Sequence, residues 1–239
     1  IDAHPRGRHR LQDARVLSRL ETASRGTPGE VLLQSLESIG PTQLRKAVET
    51  SGLDAKTALA AVSELVLAGD LMTLASTGDI EIPDDKDLVV SRAVWMMFVE
   101  QAIELAREYH DTYPLRTGIP REELKSRLSL NSSVFNALVA RADCETLLVD
   151  EGSTVRTIKH RVEFTPVQQA LVDKLVERFR LSPCGSNTPS RKDVIEEVGL
   201  EMLAVLINHG IIVSVSQEVL LLSETYDDMV AVVRDQISV

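Results

Sequence analysis

The chain reads as mainly α: small α+β modules in tandem, each of three helices closed by a β-hairpin, which is the plan of a winged helix. Three observations predict it. Corner prolines recur at Pro41, Pro120 and Pro189, roughly 70–80 residues apart, about the size of one such module. Each corner is preceded by one amphipathic stretch and followed by two, with apolar side chains at helical spacing. Each set of three then ends in two β-rich runs around a turn. A generic helical protein with three chance hairpins is the competing reading. Modules this small bury a limited core and lean on their neighbours.

Taken in order, the chain opens on Ile1 rather than methionine, which suggests a piece of something longer. His4-Pro5-Arg6-Gly7-Arg8-His9-Arg10, with Arg15, Arg19 and Arg25, makes a basic arm that suits either phosphate contact or the end of an upstream domain. Asp13 to Ala23 has helical spacing through Val16, Leu17 and Leu20. Thr27-Pro28-Gly29-Glu30 caps the first helix of the first module, which runs to about Ser38 with Val31, Leu32 and Leu36 inward. Gly40-Pro41 turns the corner, Leu44 and Val48 stripe the second helix, and Gly52 ends it. Asp54 caps a third helix that stops at Gly69, with Leu59, Val62, Leu65 and Val66 inward. Leu71 to Ala75 and Leu88-Val89-Val90 are strands around a turn at Thr77-Gly78-Asp79.

The second module begins near Val94. Its first helix carries Phe98, Ile103 and Leu105, and Trp95 and Met96 read as core with Phe98. Leu124 and Leu128 stripe its second helix, Asn131 to Arg141 is the third, and Leu147 to Val149 with Val155 to Ile158 is the hairpin. In the third module Thr165-Pro166 starts a helix with Leu171, Leu175 and Val176 inward. A loop from Leu181 to Thr188 follows, and Pro189 opens a helix with Val194 and Val198. Leu200 to His209 is the last helix of the set, and Ile211 to Val215 pairs with Val219 to Leu222. Tyr226 to Val239 places Met229, Val232, Val233 and Ile237 on one helical face. The expected domains are 1–26, the basic arm and connecting helix; 27–93, 94–162 and 163–225, three winged helices; and 226–239, the first helix of a truncated fourth.

The most distinctive stretch is Tyr109-His110, then Tyr113-Pro114-Leu115-Arg116-Thr117-Gly118-Ile119-Pro120, then Arg121-Glu122-Glu123-Leu124-Lys125-Ser126-Arg127-Leu128. Pro114 ends the incoming helix, because the residue before a proline is driven out of the α region. Gly118 supplies a flexible or left-handed position, and Pro120 suits the first turn of the next helix. Glu122 and Glu123 then meet the positive end of that helix dipole. Any pair of helices could be joined so. The residue pattern, however, closely resembles a segment of the selenocysteine-specific translation elongation factor family, SelB, and the match is long and unusual in composition. The His4-Pro5…Arg8-His9-Arg10 segment is similar to that family's boundary between its last β-barrel and its C-terminal extension. The resemblance implies the C-terminal region of tandem winged helices. In that family the final winged helix reads the selenocysteine insertion hairpin in messenger RNA.

Composition bounds what such a chain can do. Of 239 residues, Asp and Glu number 36 against 26 Lys and Arg, a formal charge of −10 that weighs against coating nucleic acid along the whole surface. Aromatics are 3%, so stacking platforms for bases are scarce. Cys144 and Cys184 stand apart, as in a reduced cytosolic chain without a disulfide or zinc framework. No apolar run approaches the roughly 20 residues of a membrane span. The expected third helices lack the Arg, Lys, Asn and Gln that read a duplex: Lys56 is the one cation of the first, Asn131, Asn136 and Arg141 belong to the second, and His209 to the last. Cations gather instead at Arg116, Arg121, Lys125, Arg127, Arg191 and Lys192. These are the candidates for RNA-phosphate contact, and a solvated face balanced by Glu122, Glu123, Glu196 and Glu197 is the bland alternative.

Catalysis has no support in the sequence. The five histidines lack metal-binding spacing, and neither a Gly-x-Ser-x-Gly elbow nor a phosphate-binding Gly-x-x-x-x-Gly-Lys-(Ser/Thr) loop occurs. The expectation is a non-enzymatic, monomeric, cytoplasmic arm without a cofactor or metal of its own. It would connect a GTPase body, which binds GTP, Mg and selenocysteinyl-tRNA, to the winged helix that reads the mRNA hairpin on the ribosome. A non-catalytic winged-helix scaffold of a chromosome or transcription complex is the alternative. The apolar run around Trp95 and the connector from Lys159 to Phe164 are where a hinge, or its suppression, is expected.

Overall fold

The computed structural model describes residues 26–75, 82–182 and 188–237. The basic arm, the helix expected from Asp13 to Ala23, the turn at Thr77-Gly78-Asp79 and most of the loop after Leu181 lie outside them. The protein is mainly α with small antiparallel sheets, and helix–helix–helix–hairpin recurs three times. By contact it separates into two units, one of Ile1–Glu108 with Gly118–Ile158 and another of Tyr109–Thr117 with Lys159–Val239.

The first module belongs to the first unit. Helix α1 (Pro28–Ile39) begins with a reciprocal capping box: Thr27 Oγ1 accepts from the Glu30 amide, and Glu30 accepts from the Thr27 amide at 2.8 Å. Strand β1 (Thr42–Gln43) leads straight into α2 (Leu44–Ser51), which ends at Gly52 in the left-handed region, φ 72°. Asp54 caps α3 (Ala55–Ala68), accepting from the Lys56 and Thr57 amides at 3.1 Å. Strands β2 (Leu71–Thr73) and β3 (Leu88–Ser91) close the module, with Leu32, Leu36, Ala47, Val62 and Val89 at the centre of its core. Val31 is half-buried, and Leu59 is 62% exposed although its spacing placed it inward. Ala58, Ala61, Val62 and Leu65 fill the inner face of α3, so its stripe is turned by one residue from the expected one.

The second module starts in α4 (Arg92–Thr112), which follows β3 without a break. Its buried stripe is Trp95, Phe98, Ala102, Ala106 and Tyr109, at steps of three and four residues. Met96 is 53% exposed, and Ile103 and Leu105 flank the stripe half-buried. Strand β4 (Ile119–Pro120) precedes α5 (Arg121–Arg127), and Asn131 caps α6 (Ser132–Cys144) by accepting from the Val134 amide at 2.9 Å. Strands β5 (Leu148–Asp150) and β6 (Thr154–Thr157) form the hairpin. Pro120 is the residue before α5 rather than its first turn, in extended geometry at ψ 134°. Gly118 is not left-handed either: a Cβ there would lie 2.6 Å from the Val155 carbonyl oxygen. That glycine serves close approach of two strands, not a turn.

The third module lies in the other unit. Thr165 and Gln168 make a second capping box at α7 (Pro166–Leu181). Ser190, not Pro189, caps α8 (Arg191–Val198); Gly199 separates it from α9 (Leu200–Asn208). Strands β7 (Ile212–Ser214) and β8 (Leu220–Leu222) run into α10 (Ser223–Ile237). Val172, Leu175, Phe179, Leu203 and Leu206 make the core, with Leu171 half-buried.

One register device appears in all three modules. The corner residues pair with the second hairpin strand, as β1 with β3, β4 with β6, and Ser190 bridging Val219. An amide just beyond the corner then donates to a carbonyl near the hairpin tip: Arg45 to Asp85 at 3.0 Å, Arg121 to Ser153 at 3.1 Å, Arg191 to Glu218 at 3.2 Å. This third strand, which periodicity cannot show because it is two residues long, anchors the wing on the helices.

Candidate nucleic-acid interface

The elbow after α4 determines what its cations can reach. The helix stops at Thr112, and the Tyr113 amide still donates to the Tyr109 carbonyl at 2.8 Å. The Tyr109 and Tyr113 rings lie 4.9 Å apart, and the Arg116 guanidinium sits 4.1 Å from the Tyr113 ring centre. Arg116 donates to the Tyr109 hydroxyl at 2.8 Å and through two nitrogens to Glu201 Oε1 at 3.0 and 2.8 Å. The bond to Tyr109, then that to Glu201, holds its proton even more firmly than an ordinary arginine's. Leu115 packs on the core of the third module, and His110 stacks on His160 with ring centres 3.6 Å apart. His160 Nε2 lies 2.9 Å from the Arg116 carbonyl oxygen. The Tyr-His…Tyr-Pro-Leu-Arg signature is thus a pin that fastens the elbow to the third module.

Four of the other five candidate cations are also engaged by acids. Arg121 pairs with Asp150, donates to Asn136 Oδ1 at 2.8 Å, and lies 5.3 Å from the Phe135 ring centre. Lys125 pairs with Glu122 and reaches the Ser132 hydroxyl at 3.3 Å. Arg127 donates to Glu123 at 2.6 Å, with Glu108 at 3.9 Å. Lys192 stands 3.9 Å from Glu196 and is 85% exposed. Arg191 donates to the Ser214 hydroxyl at 3.3 Å, on the wing. Arg121, Lys125 and Arg127 belong to the first unit and Arg116, Arg191 and Lys192 to the second.

Sequence reasoning passed over two cations in the connector. Lys159 and Arg161 are exposed, and among the described residues no carboxylate lies within ion-pair reach of either. Their signal was the Lys159-His160-Arg161 run itself. The same reasoning placed Arg141 on the third helix of the second module without its partners: the guanidinium donates to the Thr73 carbonyl, pairs with Glu145 at 2.7 Å and lies 5.7 Å from the Trp95 ring centre.

The third helices carry little that could read bases. Asn131 is spent on its cap and Asn136 on Arg121. The outer face of α3 presents Leu59 and Leu67, and Leu200 and Glu201 open α9 exposed. Among the described residues no group of His, Cys, Asp and Glu could hold a metal ion, and no helix is long and apolar enough to cross a membrane.

No curated protein matches the chain. Residues 103–156, from the middle of α4 to β6, match the family model described as elongation factor SelB, winged helix. The match spans the elbow, β4, α5, α6 and most of the hairpin, the stretch whose geometry is set out above. The chain therefore carries, at residues 103–156, a winged-helix region of the elongation factor SelB type.

Proposed function

We propose that this chain is the arm of a selenocysteine-specific elongation factor, joining the GTPase and tRNA-binding body to the winged helix that reads the selenocysteine insertion hairpin in mRNA. The observation that carries the reading is the SelB-type winged helix at 103–156, set among further modules of the same plan. In this reading the arm is a cytoplasmic, non-catalytic monomer. GTP and Mg belong to the body, and the arm acts by tethering. Holding the tRNA-carrying body close to a paused ribosome raises its effective concentration there without any new contact. The clamp of Arg141 on Thr73 and Trp95 supports a stiff junction between the first two modules.

RNA contact by the arm itself is confined to phosphate. Among the described residues Lys159 and Arg161 are the cations best placed for it, with Arg191 beside the wing and Lys192, which is 85% exposed and only 3.9 Å from Glu196, while Arg116, Arg121, Lys125 and Arg127 are held more closely by acids of their own chain. The test is a filter-binding titration of the chain with a selenocysteine insertion hairpin and with a sequence-scrambled hairpin. Weak binding without preference between the two, lost as salt rises, is the expected result. Tight and selective binding by this chain would overturn the assignment of reading to another winged helix.

A further inference from the structure

The first module is unlike the other two in charge. Between Thr27 and Ser91 stand eleven Asp and Glu against four Lys and Arg, so most of the chain's net charge of −10 belongs to this one module. It is a poor surface for RNA. Yet it holds a groove of about 790 Å³ between α2, α3 and the returning arm of the wing. The floor is Leu44, Val48, Ala58 and Val62, and the lips are Leu59 and Ile82, which are 62% and 53% exposed. Asp84 and Asp85 stand at the rim, where Lys86 is the single cation among the lining residues. Arg45 lies close by; it donates to Glu49 at 2.8 Å, and the charge of Asp85 also acts on it.

The geometry points to a protein-docking groove on the first module, whose occupant is a cationic amphipathic segment of a partner protein. Aliphatic side chains of that segment enter between Leu59 and Ile82, and its Lys or Arg residues meet Asp84 and Asp85. Charge decides the occupant. Phosphate is repelled by this rim. A second copy of the chain could offer the exposed row Met229, Val232 and Val233 of α10, but Asp227, Asp228 and Asp235 on the same helix oppose the acids of the groove. A basic partner satisfies both the apolar floor and the acidic edge. This contact is independent of the RNA-arm reading, since it uses none of the cations named there.

The experiment uses the full chain and a fluorescent helical peptide of about 16 residues, roughly four turns, with Leu at every third or fourth position and Lys elsewhere. Its controls are a scrambled peptide of the same composition and a version with Glu in place of Lys. Fluorescence anisotropy should show the patterned peptide binding about tenfold more tightly than the scrambled one, as expected for anchored rather than diffuse attraction. Leu59→Lys should weaken it about tenfold, and Asp84→Asn with Asp85→Asn should weaken it and lessen its salt dependence. Leu67→Lys adds the same charge to a leucine that is 72% exposed on the same helix but outside the groove, and should leave binding unchanged. Circular dichroism verifies that each variant is folded. Equal binding of the scrambled peptide, equal loss in both lysine variants, or no loss in either would overturn the proposal. So would self-association of the chain abolished by Leu59→Lys, or displacement of the peptide by RNA.

Discussion

At the scale of single residues, Gly118 shows how one position can be right for a reason other than its usual one. Its φ is not positive, yet a Cβ would meet the Val155 carbonyl oxygen at 2.6 Å and Thr154 Cβ at 3.2 Å. Backbone, not a flexible side chain, is the obstacle, so β4 and β6 must part. Gly118→Ala should therefore destabilise the protein by about 1–3 kcal/mol, read as a lower urea midpoint. Two aspartates make a second prediction. Asp54 and Asp193 both have carboxyls held below the usual range, Asp54 by hydrogen bonds from the Thr57 hydroxyl and amide, Asp193 by those from the Ser190 hydroxyl and amide. Each binds its proton less readily folded than unfolded. Their stabilisation is complete above the unfolded pKa of about 4 and is lost as pH falls through the lower folded value. Acid unfolding followed by circular dichroism should be less steep in Asp54→Asn, which keeps a capping oxygen but removes the titration.

At the scale of elements, the helices end where local chemistry says they must. Thr27, Asp54, Asn131, Thr165 and Ser190 each cap a helix through a side-chain oxygen, and Gly52 and Gly69 close α2 and α3 in the left-handed region. What the elements do to each other is less local. Arg141 comes from α6 and reaches back to Thr73, 68 residues earlier, with its side chain only 11% exposed. The place where a hinge between the first two modules, or its suppression, was expected is therefore clamped. Arg141→Met keeps the apolar stem and removes the donor. It should cost about 1–3 kcal/mol by leaving the Thr73 carbonyl without its guanidinium partner, and hydrogen exchange should quicken in β2 and the first turns of α4.

At the scale of the whole molecule, acids of the chain engage five of the six candidate cations for phosphate contact. Lys159 and Arg161 are exposed in addition. Each phosphate that one of these cations neutralises should add a little under one to the steepness with which the logarithm of RNA affinity falls against that of salt. Changing Lys159 and Arg161 together to Gln should therefore make the slope shallower by about 1.5 to 2. Arg127→Gln should leave the slope almost unaltered, because that guanidinium is already held by Glu123 at 2.6 Å. Salt titration of filter binding measures all three.

The sequence by itself determined the order and kind of the helices and hairpin strands from α1 onward, and with them the three-fold recurrence of helices and hairpin, but not the two-residue corner strands β1 and β4. Caps, left-handed glycines and apolar periodicity act over a few residues, so they are written where they work. The elbow motif also pointed to the family of the middle module, which residues 103–156 match. Only the tertiary structure decided which helix face meets water and what each charge is for. Leu59 and Met96 have helical spacing to a core residue yet lie exposed, because a stripe can be turned one position without altering its period. The pairs Arg116–Glu201 and Arg121–Asp150 join residues 85 and 29 positions apart. No local pattern encodes such partners, since they become neighbours only once the backbone has brought distant helices and strands together.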